Sequence, residues 1–485
     1  IMNLIERLSD WTLFSIIFIT IFAVLGSAEA LRKYTHRPPE STRKFIHIFV
    51  GLIICLCPLI FKINYQLILL SSLFIGINAY LLFSKKFESM HTTSRKSYGT
   101  IYFPFSVLIL SYFWWDKPIS FILTMLVLTL ADPIAAIFGA KERNVFTPWV
   151  DQKSMRGSLA MFSSSFLIIL LGTDILSKFY GSTFLLPFPI LFGLGIFTAL
   201  SATLSELVSC KGSDNLSIPI VTFISYEIYL INYTHGTLFQ LLTWTLLSII
   251  IFAIANKQNS LTISGSIAGY LLGIIIFASG GWDWISPLVF FFISSSILSH
   301  LKTKVPSKRN IIQILANGGF PAICAIEYIF WDSTYSSVLY LGAIAAATAD
   351  TWGTEIGYYS RTSPNLIFSN IKVPKGTSGG ITYLGIFGSI IGGLAIGLIG
   401  ELSLGIKNLI FPITIAGISG SLFDSTLGNY VQGKYVCNKC NNMIEERSHC
   451  NDPTSLISGS RWIDNNMVNF LNTLVGAIVA YLIWV

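Results

Sequence analysis

Six acidic residues stand where such residues are costly. Glu29, Asp132, Glu206, Asp350, Glu355 and Asp424 all fall in the ends of long apolar runs, and ionisable groups at membrane depth are functional candidates. Each borders one of the loops that collect the Lys and Arg residues, with Lys211 alone in the loop after Glu206. Carboxylates beside cations suit a divalent metal and a nucleoside triphosphate: oxygen ligands hold a hard ion such as Mg²⁺, and cations offset phosphate charge. The competing reading is a helix-end carboxylate that pairs with a nearby Lys or is merely solvated, and it is strongest for Glu29. Gly376-Thr377-Ser378-Gly379-Gly380 follows Lys372, Pro374 and Lys375. Glycine lets backbone N–H groups approach phosphate, and the next helix starts there with its positive dipole end. A flexible turn with small-residue helix packing explains the same run equally well. Gly428–Lys434 reads GNYVQGK, like the start of a P-loop. Tyr435 stands at the Ser/Thr position and an apolar span precedes it in place of a strand, which excludes that motif.

Seven cysteines divide into two kinds. Cys55, Cys57, Cys210 and Cys324 lie in or near apolar runs and are expected to pack as small apolar groups. Cys437-x-x-Cys440 with His449-Cys450 has the spacing of a Cys₃His zinc knuckle, with free thiols as the alternative. Zinc there would staple a loop and would not be catalytic.

These residues need elements that hold them at one depth. The chain has 485 residues, of which 53% are hydrophobic and 11% charged, and its mean hydropathy is +0.67. A water-exposed surface needs about 25% charged residues, so lipid must replace water over most of this one. Residues 12–31, 66–84, 185–205, 237–255, 380–400 and 468–485 each approach the roughly 20 residues that cross a bilayer. About 16 such segments are expected by this length criterion, with 216–233 and 283–299 the weaker ones. Each must be helical, because in lipid only a helix satisfies its own backbone. The fold class is therefore all-α, a polytopic membrane bundle. Residues 1–11, with Glu6, Arg7 and Asp10, show no basic n-region and no cleavage site, so the first span is expected to stay.

With the N-terminus outside, alternate loops collect 26 of the 31 Lys and Arg. Arg7, Lys62, Lys117, Lys178 and Lys407 are the exceptions. The positive-inside rule makes the basic side cytoplasmic and both termini external. Trp114, Trp115, Trp282, Trp284 and Trp331 fall near the external boundaries, where interfacial anchoring accounts for them. A short polar stretch at Asn232–Gly236 suggests two halves, 1–234 and 235–485. The longest polar segment, 429–467, lies in the second. Nothing points to a nucleic-acid partner.

The first half carries ESTRKFIHIFVG (Glu40–Gly51), LADPIAAIFG (Leu130–Gly139), KSMRGSLAMF (Lys153–Phe162) and SELVSCKGSDNLSIP (Ser205–Pro219). In these motifs it resembles the phytol kinase and dolichol kinase family of CTP-dependent membrane lipid kinases. The resemblance covers about residues 25–230 and implies transfer of the γ-phosphoryl group of CTP, or a related nucleotide, to an isoprenoid alcohol. It implies a nucleotide–metal site of Asp132, Lys153, Gly157, Glu206, Asp214 and Asn215, with Arg43, Lys44 and His47 in the first motif. The spacer after LADPIAAIFG is shorter here than the family's. The alcohol proton needs a base, for which His47 or Asp132 could serve; His47 reads equally as a packed or capping histidine.

The second half carries GSIAGYLLG (Gly265–Gly273), GGWDW (Gly280–Trp284), NGGFPA (Asn317–Ala322), ATADTWGTEIG (Ala347–Gly357), VPKGTSGGIT (Val373–Thr382), GSLFDSTLGNYVQ (Gly420–Gln432) and WIDNNMVNFL (Trp462–Leu471). Over about residues 240–485 it resembles the phytyl-phosphate kinase family, membrane proteins long labelled as a domain of unknown function. That implies phosphorylation of an isoprenyl monophosphate to the diphosphate. Asp350, Thr351, Glu355, Lys375, Gly376, Thr377, Asp424, Asp464 and Asn465 would form its site, with Mg²⁺ on Asp350 and Asp424, as on Asp132 and Asp214 in the first half. Together the halves read as a fusion of consecutive steps, expected in a bacterial cell membrane with both sites facing the cytoplasm. The partners are the alcohol, its monophosphate, a nucleoside triphosphate and the bilayer. The rivals are a nucleotidyltransferase that forms a CDP-lipid and a transporter of a lipid phosphate or an ion. A transporter would place charges near the bilayer midplane, whereas these carboxylates lean to one face.

Overall fold

The computed structural model describes residues 8–35, 39–84, 97–140, 142–181, 185–302 and 308–485. Arg37, Lys85, Lys86, Arg95, Lys96, Lys141 and Lys304 of the basic loops, and Glu6 and Arg7, lie outside these ranges. The described residues are all-α apart from nine strands of two to four residues, and the chain divides into two compact units, Ile1–His235 and Gly236–Val485.

Unit one contains α1 (Asp10–Thr35), α2 (Pro39–Ile60), α3 (Tyr65–Ser84) and α4 (Gly99–Phe113). Next come α5 (Pro118–Leu126), a π-turn at Val127–Ala131 and α6 (Asp132–Gly139), which together make one rod. After a hairpin of β1 (Val145–Phe146) and β2 (Lys153–Ser154) come α7 (Met155–Phe179), α8 (Phe188–Leu207) and α9 (Asp214–Thr234). Unit two contains α10 (Leu238–Lys257), α11 (Ile263–Lys302), α12 (Ile311–Trp331) and α13 (Thr334–Gly357). A hairpin of β3 (Asn365–Leu366) and β4 (Gly380–Ile381) leads to α14 (Tyr383–Leu404) and α15 (Ile410–Tyr430). Strands β5 (Lys434–Val436), β6 (Met443–Ile444), β7 (Ser448–His449), β8 (Asp452–Pro453) and β9 (Ser455–Ser458) then precede α16 (Asn465–Trp484).

Among the described residues, thirteen helices are long and apolar enough to cross a membrane. One of them, α11, breaks at Gly280 and Gly281, where Gly281 takes φ +62°, and so supplies two rods. The shorter apolar α4 and the buried α13 stand outside that count of thirteen, which compares with the about 16 segments expected from run length.

The packing is that of a membrane protein: large apolar side chains face outward, as at Ile19, Leu159, Ile175 and Leu246. The interior holds small and hydroxyl residues, including Ala343, Ala345, Ala346 and Ala347 on α13 and Thr198 and Ser201 on α8. Lipid tails are as apolar as leucine, so helices in lipid are held by close backbone approach and hydroxyl contacts. Gly342 shows this, since a Cβ there would stand 2.6 Å from the Gly476 carbonyl oxygen on α16.

Candidate functional site

In unit one the π-turn is followed by Pro133, which has no N–H to return to the preceding turn. The ring of His47 on α2 instead reaches the Leu128 carbonyl, with Nε2 2.9 Å from the oxygen. A carbonyl only accepts, so Nε2 donates and Nδ1 is left as the basic nitrogen. This contact and Gly51, whose Cβ would collide with the Thr129 side chain, lock α2 against the turn that carries Asp132. Asp132 then feels the charges of Asp214, Glu206, Lys153 and Arg43. Asp214 and Arg43 also bear on His47. Lys153, from the hairpin, pairs with Glu206 at the end of α8, with both side chains mostly buried. Asn215 donates from its backbone and its amide to Asp214 Oδ1, at 2.9 and 2.8 Å, fixing that carboxylate at the start of α9.

Arg43, His47, Asp132, Lys153, Glu206, Asp214 and Asn215 thus come together. Two other predicted residues take different places. Lys44 pairs with the exposed Glu40 at 3.2 Å. Gly157 lets α7 approach α6: a Cβ there would stand 3.2 Å from the Ala135 carbonyl oxygen and 3.3 Å from Gly139 Cα.

Unit two repeats this frame. Asp350 and Gly357 keep the spacing of Asp132 and Gly139. A two-stranded hairpin again leads into a capped helix: Thr382 accepts from the Gly385 N–H at 3.0 Å, as Ser154 accepts from Gly157 at 3.1 Å. A Cβ on Gly385 would meet the Gly353 carbonyl oxygen at 2.9 Å, the counterpart of Ala135. Ser421-Leu422-Phe423-Asp424 matches Thr203-Leu204-Ser205-Glu206, and Asp464-Asn465 matches Asp214-Asn215 at the start of the last helix. The repeat differs most between its last two helices, where unit two inserts β5 to β9.

Asp350 and Asp424 interact across α13 and α15, and one oxygen of Asp424, Oδ2, is buried without a hydrogen-bond partner among the described residues. A third carboxylate that acts on Asp424 is Glu445, from the inserted strands. Its Oε1 accepts from Ser378 Oγ and its Oε2 from Gln432 Nε2, the latter at 2.7 Å. Sequence reasoning missed Glu445, which reads as one more solvated acid in a polar loop; its place between the two Cys/His pairs was the available signal.

The other predicted residues of unit two are dispersed. Glu355 accepts from Ser299 Oγ at 3.0 Å and interacts with Arg309. Thr351 donates to the Ala347 carbonyl within its own helix at 2.9 Å. Lys375 Nζ donates to the Tyr358 and Ser360 carbonyls, at 2.8 and 2.7 Å, and so clips its loop to the end of α13. Gly376 takes φ +88° with open space around it, and Thr377 donates to the Pro374 carbonyl at 2.8 Å. Asp464 caps α16, accepting from the Met467 N–H at 2.9 Å, and Asn465 beside it is exposed.

Cys437, Cys440, His449 and Cys450 present ligand atoms within 4.8 Å of one another. Hydrogen bonds from the backbone of Cys440, the His449 side chain and the Lys439 backbone hold the Cys437 thiol down at about 6.

Known proteins resemble the chain in part, and a family model matches within unit two. Residues 246–477 match the family described as integral membrane protein DUF92. An uncharacterized membrane protein of Methanocaldococcus jannaschii is 30% identical over 258 residues, 52% of this chain and 97% of that protein. A protein named PGR from Arabidopsis thaliana is 30% identical over 274 residues, 49% of this chain and 93% of its own length. A phytol kinase of Synechocystis sp. is 28% identical over 201 residues, covering 41% of this chain and 83% of that enzyme. No solved structure matches the chain.

Proposed function

The chain belongs to the integral membrane protein family DUF92, and on that footing we propose that it is a two-site lipid kinase. Unit one phosphorylates an isoprenoid alcohol; unit two phosphorylates the resulting monophosphate to the diphosphate. Each uses a nucleoside triphosphate, CTP by preference, at the cytoplasmic face. The observation that carries this reading is the repeated frame, in which each unit gathers its own carboxylates at one end of its helices. The likeness to a phytol kinase, and to a farnesol kinase of Arabidopsis thaliana at 28% identity over 173 residues, supports an isoprenoid alcohol as the starting substrate.

The residues fit the chemistry. The isoprenoid tail stays in lipid while its head group reaches the helix ends. In unit one Lys153 and Arg43 offset the charge of the nucleotide's phosphates, and Asp132, Glu206 and Asp214 offer oxygen ligands to a hard cation. In unit two the partnerless Asp424 Oδ2 is the kind of buried atom that such a cation would satisfy. Mg²⁺, when bound, would neutralise charge on the transferring phosphoryl group. The alcohol oxygen attacks the γ-phosphorus in line, the bond to the nucleoside diphosphate breaks, and the alcohol proton passes to His47 Nδ1. In the second step the acceptor is already an anionic phosphate oxygen and needs no base.

The test is radiolabelled prenol incubated with purified protein, CTP and Mg²⁺, with lipid products resolved by thin-layer chromatography. Monophosphate followed by diphosphate, with release of CDP, is the expected result. Release of diphosphate with a CDP-lipid product would mean nucleotidyl transfer, and no product with CTP, UTP, GTP or ATP would overturn the kinase reading.

A further inference from the structure

We propose that Cys437, Cys440, His449 and Cys450 bind a structural zinc ion, and that the knuckle so formed supplies Glu445 as the third carboxylate of unit two's site. The inference rests on reading that site as one for phosphoryl transfer.

In unit one the third carboxylate is Asp214, whose charge acts on Asp132. Its counterpart Asp464 caps α16, and the acids whose charges act on Asp424 are Asp350 and Glu445. Glu445 comes from the segment that unit one lacks. Ser378 and Gln432 hold one oxygen each. An ionised carboxylate has about four lone-pair sites, so both oxygens can still face a cation. Ser378 belongs to the glycine-rich run, so the same contact ties that loop to the site.

Ser378 and Gln432 hold the Glu445 carboxylate, but the backbone that carries it belongs to the insertion, and its strands cannot order that backbone alone. They are two to four residues long, and although Tyr435 is buried, Met443, Leu456 and Ile457 are exposed, so there is little apolar burial to order them. Segments of this size need a metal or a disulfide. The four candidate ligands flank Glu445 in pairs. His449 Nδ1 lies 3.5 Å from Cys440 Sγ and 3.2 Å from Cys450 Sγ. A tetrahedral site with Zn–N of about 2.05 Å and Zn–S of about 2.3 Å has N···S edges of about 3.6 Å, so the tetrad needs only a small adjustment. Asn441, Cys450 and Asn451 adopt positive φ, turning the chain tightly at both ligand pairs. Lys439 ties the pairs together, reaching Asp452 at 2.8 Å and the Cys450 carbonyl at 3.3 Å.

The test uses the full chain purified in detergent without chelator. Metal analysis is expected to find about one zinc per chain, lost in the Cys440→Ser/Cys450→Ser double variant and kept in Glu445→Gln. Trypsin is expected to cut the double variant faster at Lys439 and Arg447. Nucleotide-dependent Mn²⁺ binding, read by paramagnetic resonance in an Asp132→Asn background, should weaken on the order of tenfold in Glu445→Gln and in the cysteine variant. Their conversion of prenyl monophosphate should fall in parallel. Absence of zinc from the wild type, its retention in the double variant, or wild-type Mn²⁺ affinity in Glu445→Gln would each overturn the proposal. If the wild type binds zinc and Mn²⁺ as expected but converts no monophosphate, the kinase reading fails and the staple stands.

Discussion

The ion pair of Lys153 with Glu206 can be a structural clasp or part of a phosphate site, and one set of variants separates the two. The side chains are 15% and 12% exposed. Removing one partner from a buried pair costs about 3–5 kcal/mol, because the other charge is stranded. The residual exposure lets water relieve part of that, which leaves about 2–3 kcal/mol for Lys153→Met. At roughly 2–4 °C per kcal/mol for a unit of this size, the melting temperature in detergent should fall by roughly 4–12 °C. Adding Glu206→Gln removes the stranded charge, so the double variant should recover to within about 1 kcal/mol of the wild type. Alcohol phosphorylation should not recover with it. A lost cation aimed at developing phosphate charge is worth about 10²–10³ in rate, and a neutral pair restores none of it. The assay is monophosphate formation from radiolabelled prenol beside a thermal-shift series on the same samples. If the double variant regains both stability and turnover, the pair is only a clasp and Lys153 has no part in phosphate binding.

Three further outcomes are expected. Asp132→Asn should lower alcohol phosphorylation by about 10²-fold or more and spare monophosphate phosphorylation, and Asp350→Asn should do the reverse; either variant leaving both steps intact would remove that residue from its site. Gly385→Ala forces a Cβ to 2.9 Å from the Gly353 carbonyl oxygen and should cost about 1–3 kcal/mol. Gly319→Ala, with nothing within 4 Å, should be neutral or slightly stabilising in the same thermal assay. Lys117→Met strands Glu227, which is 5% exposed and pairs with Lys117 at 2.6 Å; it should destabilise by about 2–4 kcal/mol, and Glu227→Gln by less, because that change removes the buried charge itself.

The helices were legible because lipid leaves the backbone no other choice. A run such as 12–31 or 468–485 becomes a helix on length alone, here Asp10–Thr35 and Asn465–Trp484. Part of the first candidate site was legible too: Asp132 and Glu206 stand out by their place in the ends of apolar spans, and Lys153 and Asp214 only through the resemblance of their motifs. Other parts depend on facts that a linear pattern does not carry. Asp350 and Glu355 look like a pair in sequence, but five residues put them about 140° apart around a helix, and Glu355 turns toward Ser299 instead. Lys375 and Thr377 read as phosphate ligands, and no linear pattern shows that two of the three Lys375 Nζ donors and the Thr377 hydroxyl bond carbonyls nearby. Glu445 is placed by long-range contacts with Ser378 and Gln432, and no local period encodes those. The repeat is hidden because insertions shift its parts by different amounts. It emerges only when the hairpins, caps and close glycines of the two units are compared.

The repeat also bears on the division of labour, through one residue that it does not contain. His47 comes from α2, outside the repeated helices, and has no counterpart in unit two. The histidines of unit two are His300, which is exposed and faces the Ser296 carbonyl on its own helix, and His449 in the knuckle. An alcohol must lose a proton as it attacks; a phosphate monoester near neutral pH already offers an anionic oxygen. A site that phosphorylates an alcohol therefore gains from an added base, and a site that phosphorylates a monophosphate does not. Replacing His47 by Gln keeps an amide donor for the Leu128 carbonyl and removes the basic Nδ1. Positioned proton transfer contributes about 10²–10⁴ in rate, so His47→Gln should slow alcohol phosphorylation by at least about a hundredfold. Monophosphate conversion by the same protein should stay within about twofold, a change of roughly 0.4 kcal/mol in barrier. The rate on prenol and the rate on prenyl monophosphate, measured on one preparation, decide the matter. Equal losses in both would mean that His47 only packs α2 against the π-turn, and wild-type rates on both would assign the proton to Asp132.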